Sequence, residues 1–227
     1  MKFFIDIKEI DDSVREIRKK IRLSMNGDVS ASMTQRGLKY KKNFGVNIPR
    51  IKEISQNYLA NHDLASRLWE LKIRETMILA TLLQPIESFS EKDAEEWMKS
   101  VDQPELAEQI SMNLFSKLPS ASKLAQDLIN SDKMWNQIVG FMVIARVWNS
   151  ISEGELLHIL NRSIELSPKD ELHLYKSISL ALSRLCRNDE YFSKLILEKI
   201  SGFDGSDLVS KKYIFSEIKN EVDFMNI

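Results

Sequence analysis

A chain of 227 residues with 43% apolar and 29% charged residues has the composition of an ordinary globular protein, not of a disordered or fibrous one. Seven glycines and five prolines are too few for the many turns of an all-β protein, no run approaches the ~18 apolar residues of a membrane span, and a single cysteine excludes an internal disulfide. The net charge of −1 gives no overall pull toward nucleic acid, so any such affinity has to come from how the charges are distributed.

Helical spacing runs through the whole chain. Ile7, Ile10, Val14, Ile17 and Ile21 recur at intervals of three and four, which places them on one face of a first helix near 6–23. Asn26-Gly27 is expected to end that helix, and a short helix near 28–37 closes at Gly37. The segment KYKKNFGVNIPR reads as a loop, after which Asn47 and Pro49 suit the start of a helix carrying Ile51 and Ile54. Further stripes follow at Leu64, Ala65 and Leu68, and at Ile73, Met77 and Ala80. Ser90 with Asp93 has the form of a capping box before Trp97 and Met98. Asp102 and Pro104 open a helix expected to reach Leu118. Ser120, Asp132, Ser152 and the run Ser167-Pro168-Lys169-Asp170 each read as the start of another, and the last two helices lie near 189–201 and 207–224. No segment alternates as a strand would. Helices of 10–18 residues joined by short loops reverse direction at each turn and cannot bury a two-sided apolar surface alone, so pairs must stack on pairs.

Charge is unevenly placed along this array. Arg36, Lys39, Lys41, Lys42, Arg50 and Lys52 occur with no acid between them, whereas Glu87 to Glu108 is strongly acidic. Arg146, Arg184 and Arg187 recur near later helix ends. Lys39, Lys41 and Lys42 flank Tyr40 and Phe44 in a loop, a pattern that suits phosphate contact.

The order of FGVNIPRIKEIS, NHDLASRLWELKIRETMILATLL, DQPELAEQISMNLF and VGFMVIARV resembles that of the HEAT-like repeat DNA alkylation repair family, which includes alkylpurine DNA glycosylases. The match covers roughly residues 10–200. The resemblance implies an all-α fold, an α-solenoid of HEAT-like antiparallel helix pairs, curved, with a concave basic face that holds duplex DNA. On that reading the chain is one domain: an N-terminal helix (1–25), a short helix and basic loop (26–48), stacked helix pairs (49–202) and a C-terminal helix (203–227). The placement of basic residues in the loop and at the helix ends of such an array makes Lys39, Lys41, Lys42, Arg50, Arg146, Arg184 and Arg187 the candidate DNA-binding residues.

Known members of the family release alkylated bases with two tryptophans, an arginine and an aspartate that supports the positive charge developing on the sugar. In this chain the first tryptophan position falls on Pro104, the arginine on Ile138 and the second tryptophan on Leu180. The aspartate position falls on Glu108, which keeps the charge and is the candidate catalytic carboxylate. Isoleucine replaces no phosphate clamp and leucine no aromatic wall. Two functions of different class therefore stay open: a DNA-binding repair protein, with or without glycosylase activity, and a non-catalytic helical scaffold for a protein partner or an unusual DNA structure.

The remaining residues point to packing. Trp69 and Trp148 lie on apolar stripes, while Trp135 sits near a helix start within reach of a surface. Cys186 is spaced as a core residue, and Glu75 as a structural carboxylate. His62, His158 and His173 are too scattered for a metal site, and no Gly-rich phosphate loop occurs, so neither a metal nor another cofactor is expected. MKFFIDIKEIDD lacks the apolar run of a signal peptide, which makes a cytoplasmic monomer without membrane attachment the expected form.

Overall fold

The computed structural model describes residues 7–225, which form thirteen α-helices and four short 3-10 turns, with no strand among the described residues. The outermost parts of the expected terminal helices, 1–6 and 226–227, lie outside the described residues. The chain divides into two compact units, one up to Leu114 and one from Phe115 onward.

The first unit holds α1 (Lys8–Leu23), α2 (Gly27–Gln35), α3 (Ile48–Ser55), α4 (His62–Glu70), α5 (Arg74–Leu83), α6 (Glu91–Met98) and α7 (Pro104–Asn113). Helix α5 is its centre, packing against α3, α4 and α7, while α1 lies on α3 and α4. Nine of its ten residues are buried, polar ones included, so it is helical by tertiary demand more than by an amphipathic stripe. Beside it Trp69 and Trp97 stack at 4.2 Å with ring planes 7° apart, and Phe89 meets Trp97 edge-on at 5.1 Å. Such aromatic pairs contribute about 0.5–1.5 kcal/mol each beyond the area they bury.

The second unit holds α8 (Ala121–Asn130), α9 (Met134–Ile144), α10 (Glu153–Leu166), α11 (Leu172–Leu185), α12 (Glu190–Ile200) and α13 (Val209–Met225). Helix α9 packs on α8 and α11, and α11 on α13. The α8–α9 approach is close enough that a Cβ at Gly140 would stand 2.6 Å from the Ile129 side chain and 2.8 Å from the Ala125 carbonyl. Only glycine fits there.

Local chemistry sets most helix starts. Asn47 and Asn61 accept N–H groups of their first turns, and Ser90 with Asp93 and Ser152 with Glu155 form reciprocal capping boxes. Several boundaries differ from the sequence reading. Asn26 does not close α1, which ends at Leu23. Its side chain accepts the Val29 N–H, and Gly27 is the first residue of α2. The helix opened by Pro104 stops at Asn113, and a separate 3-10 turn covers Phe115–Lys117. Asp132 caps nothing, since Lys133 occupies the N-cap of α9. Ser167 is the C-cap of α10, so Ser167-Pro168 ends one helix, and the next begins only at Leu172.

Candidate nucleic-acid interface

The basic loop of residues 38–47 is held in place from beneath. Arg74 and Glu75, the first two residues of α5, are 1% and 0% exposed. The Arg74 guanidinium forks onto Glu105 of α7, with Nε to Oε2 at 2.7 Å and Nη2 to Oε1 at 2.6 Å. Its Nη1 donates to the Val46 carbonyl at 2.7 Å and to Glu75 at 3.0 Å. Glu75 in turn accepts the backbone N–H groups of Phe44 and Val46. Burial works against the Arg74 charge, but Glu105 and Glu75 outweigh it and raise the guanidinium pKa.

Two more ties complete the anchorage. The Tyr40 hydroxyl donates to Glu105 at 3.1 Å, and burial together with that carboxylate pushes the phenol pKa upward. The Lys39 N–H donates to Gln103 at 3.0 Å. Gly45, at φ 70°, lies so close to α2 that a Cβ would stand 2.1 Å from the Asn26 carbonyl oxygen. The structural reading of Glu75 holds: it is a buried staple for the loop.

This anchorage presents Lys42 beside α1. Arg15, Arg18, Lys19 and Arg22 line one surface pocket, and Arg18, Arg22 and Lys42 line the next with Phe44 and Thr76. Two shared arginines make the α1 side chains and the loop one basic strip. Arg15, Lys19, Arg22, Lys39, Lys41 and Lys42 are exposed, and Arg18 is half-buried. Arg15 pairs with Asp12 in the open, a contact that salt or a phosphate displaces at little cost. Lys42 Nζ sits 5.1 Å from the centre of the Phe44 ring.

The α1 cations were missed by the sequence reading, although Arg15, Arg18, Lys19 and Arg22 share the spacing of its apolar face. Arg50, by contrast, is occupied locally, with Nε on the Ser24 hydroxyl at 3.0 Å and Nη1 on Glu53 at 2.7 Å. In the second unit Arg146 is half-buried and donates to the Met142 carbonyl. Arg184 and Arg187 line a groove between α11 and α13 that also contains Leu180, Lys176, Glu217 and Glu221. Arg187 is paired there with Glu221. The groove is therefore mixed in charge, unlike the α1 strip.

The four positions taken from the glycosylases fare differently. Pro104 is the first residue of α7, and Glu108 is exposed one turn further on. Ile138 is fully buried in α9, as is Gln137. Leu180 is 40% exposed on α11. Trp135 is half-buried with its ring 6.0 Å from that of His173, and Trp148, expected to pack in the core, is half-buried. Cys186 is 2% exposed, and burial, aided by Glu221, pushes its thiol up to about 12, far from a nucleophile's range. His62, at the start of α4, contacts Gln84 at the end of α5 at 3.1 Å. Among the described residues no three His, Cys, Asp or Glu side chains gather as a metal site, and no helix is long and apolar enough to cross a membrane.

Comparison with known proteins agrees with this architecture. A family model described as DNA alkylation repair enzyme matches residues 17–199. No curated protein matches. Among solved structures, one described as a member of "a new family of proteins related to the HEAT-like repeat DNA glycosylases with affinity for branched DNA structures" superposes with a TM-score of 0.78. It covers 93% of this chain and 94% of its own at 15% identity, a likeness of fold.

Proposed function

The chain belongs to the DNA alkylation repair enzyme family, and on that footing we propose that it binds DNA through the basic strip of its first unit, without base-releasing activity of the kind the tryptophan-containing members have. The observation that carries this reading is the shared lining of the two neighbouring pockets, which joins Arg15, Arg18, Lys19 and Arg22 to Lys42, while Lys39 and Lys41 of the same loop line a further pocket. Phosphates repeat along a duplex, and a row of exposed cations on one rigid helix and one pinned loop meets them without reordering. The affinity for branched DNA structures described for the fold neighbour supports the same use of the fold. Lys41→Glu with Lys42→Glu should weaken duplex binding in a fluorescence titration by about tenfold or more, since each reversal replaces an attraction with a repulsion. Unchanged affinity would reject the loop as part of the interface.

The absence of base release follows from the side chains at the four site positions. A proline, a buried isoleucine and a leucine supply neither an aromatic wall nor a cation, which leaves Glu108 as a lone exposed carboxylate. Loss of one preorganised electrostatic group already costs about 10²–10³ in rate. Release of methylated purines from alkylated duplex should therefore stay at least that far below a family member with all four groups. Substantial release that Glu108→Gln abolishes would instead make the chain a glycosylase with Glu108 as its carboxylate.

A further inference from the structure

Lys72 is the only non-glycine residue with positive φ among the described residues, at 52°. It follows the last turn of α4, where its N–H donates to the Trp69 carbonyl at 3.2 Å. Chains commonly place glycine at this position, because a Cβ is strained there. Nothing about closing the turn requires a lysine: the hydrogen bond is made by the backbone alone. The side chain is what the strain retains.

That side chain is directed by its surroundings. Its ammonium donates to the Ser100 hydroxyl at 2.9 Å, lies 3.6 Å from Glu70, and stands 5.7 Å from the centre of the Trp69 ring. Trp69 is fully buried and stacked on Trp97, so the surface beneath the lysine is rigid. With Ser100, Lys72 lines an open pocket of about 230 Å³ whose other walls include Lys39, Lys41, Tyr40 and Asp102, over an apolar floor of Met77 and Leu106. Three lysines thus line one pocket, with Asp102 in the same lining and Glu70 beside the Lys72 ammonium. Both of the other lysines come from the loop that Arg74 and Glu75 hold down.

We propose that this pocket takes one phosphate group of a bound nucleic acid and that Lys72 is kept in its strained conformation to grip it. The proposal rests on the DNA-binding reading of the same unit and adds a residue and a site to it. Three cations, a hydroxyl and a concave shape suit a tetrahedral anion, whereas an extended groove would suit only a strand running past. The phosphate is either an internal diester or a monoester at a strand end, and the chemistry of the pocket is common to both.

The test is Lys72→Gly, with Lys72→Asn as a second variant that tolerates positive φ and also lacks the charge. Relief of strain should raise Tm by roughly 2–4 °C in the glycine variant. Both variants should bind duplex more weakly, with the salt slope reduced by about one. If the loss is the same for 5′-hydroxyl and 5′-phosphate ends, the ligand is an internal diester. If it is confined to phosphorylated ends, the ligand is the terminal group. As a probe of the site alone, inorganic phosphate should raise the Tm of the wild type more than that of either variant at matched ionic strength. Variants that equal the wild type in both DNA affinity and phosphate response overturn the pocket. A wild type that responds to phosphate but binds no DNA overturns the DNA-binding reading and leaves the pocket standing.

Discussion

Arg74→Met should be the most damaging single substitution in the first unit, costing about 3–5 kcal/mol in urea denaturation. The reason is what it leaves behind. Glu75 is fully buried and loses its cation without gaining water, and the half-buried Glu105 loses the guanidinium that engages both its oxygens. The Val46 carbonyl loses its donor as well. Arg74→Lys should recover only part of the loss, because one ammonium cannot fork onto Glu105 while also reaching Val46 and Glu75. The effect should extend to DNA: without the staple the loop lysines no longer hold fixed positions, and affinity should fall although Arg74 itself is 1% exposed. A cost below about 1 kcal/mol, the range of an exposed pair, would mean that the network does not hold the loop.

The contrast between this network and the helices explains what could be read from the sequence. Apolar residues three and four apart announce a buried face, and Asn47, Asn61, Ser90 and Ser152 satisfy backbone groups within three residues of themselves. Such signals are local and survive without tertiary knowledge. Where a local signal had two readings it failed. Glycine after asparagine suits both the end of one helix and the start of the next, and α2 takes the second. Proline after serine suits both a start and a stop, and Pro168 follows a stop.

The site is less legible because its parts come from distant segments. Arg74 and Glu105 are 31 residues apart, and only the packing of α5 on α7 selects one for the other. Lys72 looks like any lysine in a turn, since its strain is a property of backbone geometry. Ile138 lies in a helix that is apolar on nearly every side, so spacing alone cannot tell a wall of the core from a wall of a cleft. The α1 cations were legible in principle. Their spacing places Arg15, Arg18, Lys19 and Arg22 together, but their meaning depends on Lys42 arriving beside them from another segment.

Those cations make the second large prediction. Replacing Arg15, Lys19 and Arg22 with glutamine should lower duplex affinity by about 10²–10³-fold near 0.1 M salt and make the plot of log affinity against log salt shallower by about 2.7, three contacts at roughly 0.9 each. All three side chains are exposed and glutamine is a good helix former, so the melting temperature should hardly move. The slope is the decisive quantity, because a general loss of folding lowers affinity without a fixed change per residue, whereas removed phosphate contacts are counted by the counterions they no longer release. Glutamine is the right replacement for the same reason: it deletes each contact without adding the repulsion a carboxylate would bring. An unchanged slope would assign the strip to something other than DNA, and the acidic segment from Glu87 to Glu108 would then favour a protein partner with charges of both signs. A slope that falls by the full amount would instead place α1 against the duplex backbone, with the pinned loop as the next point of contact along it.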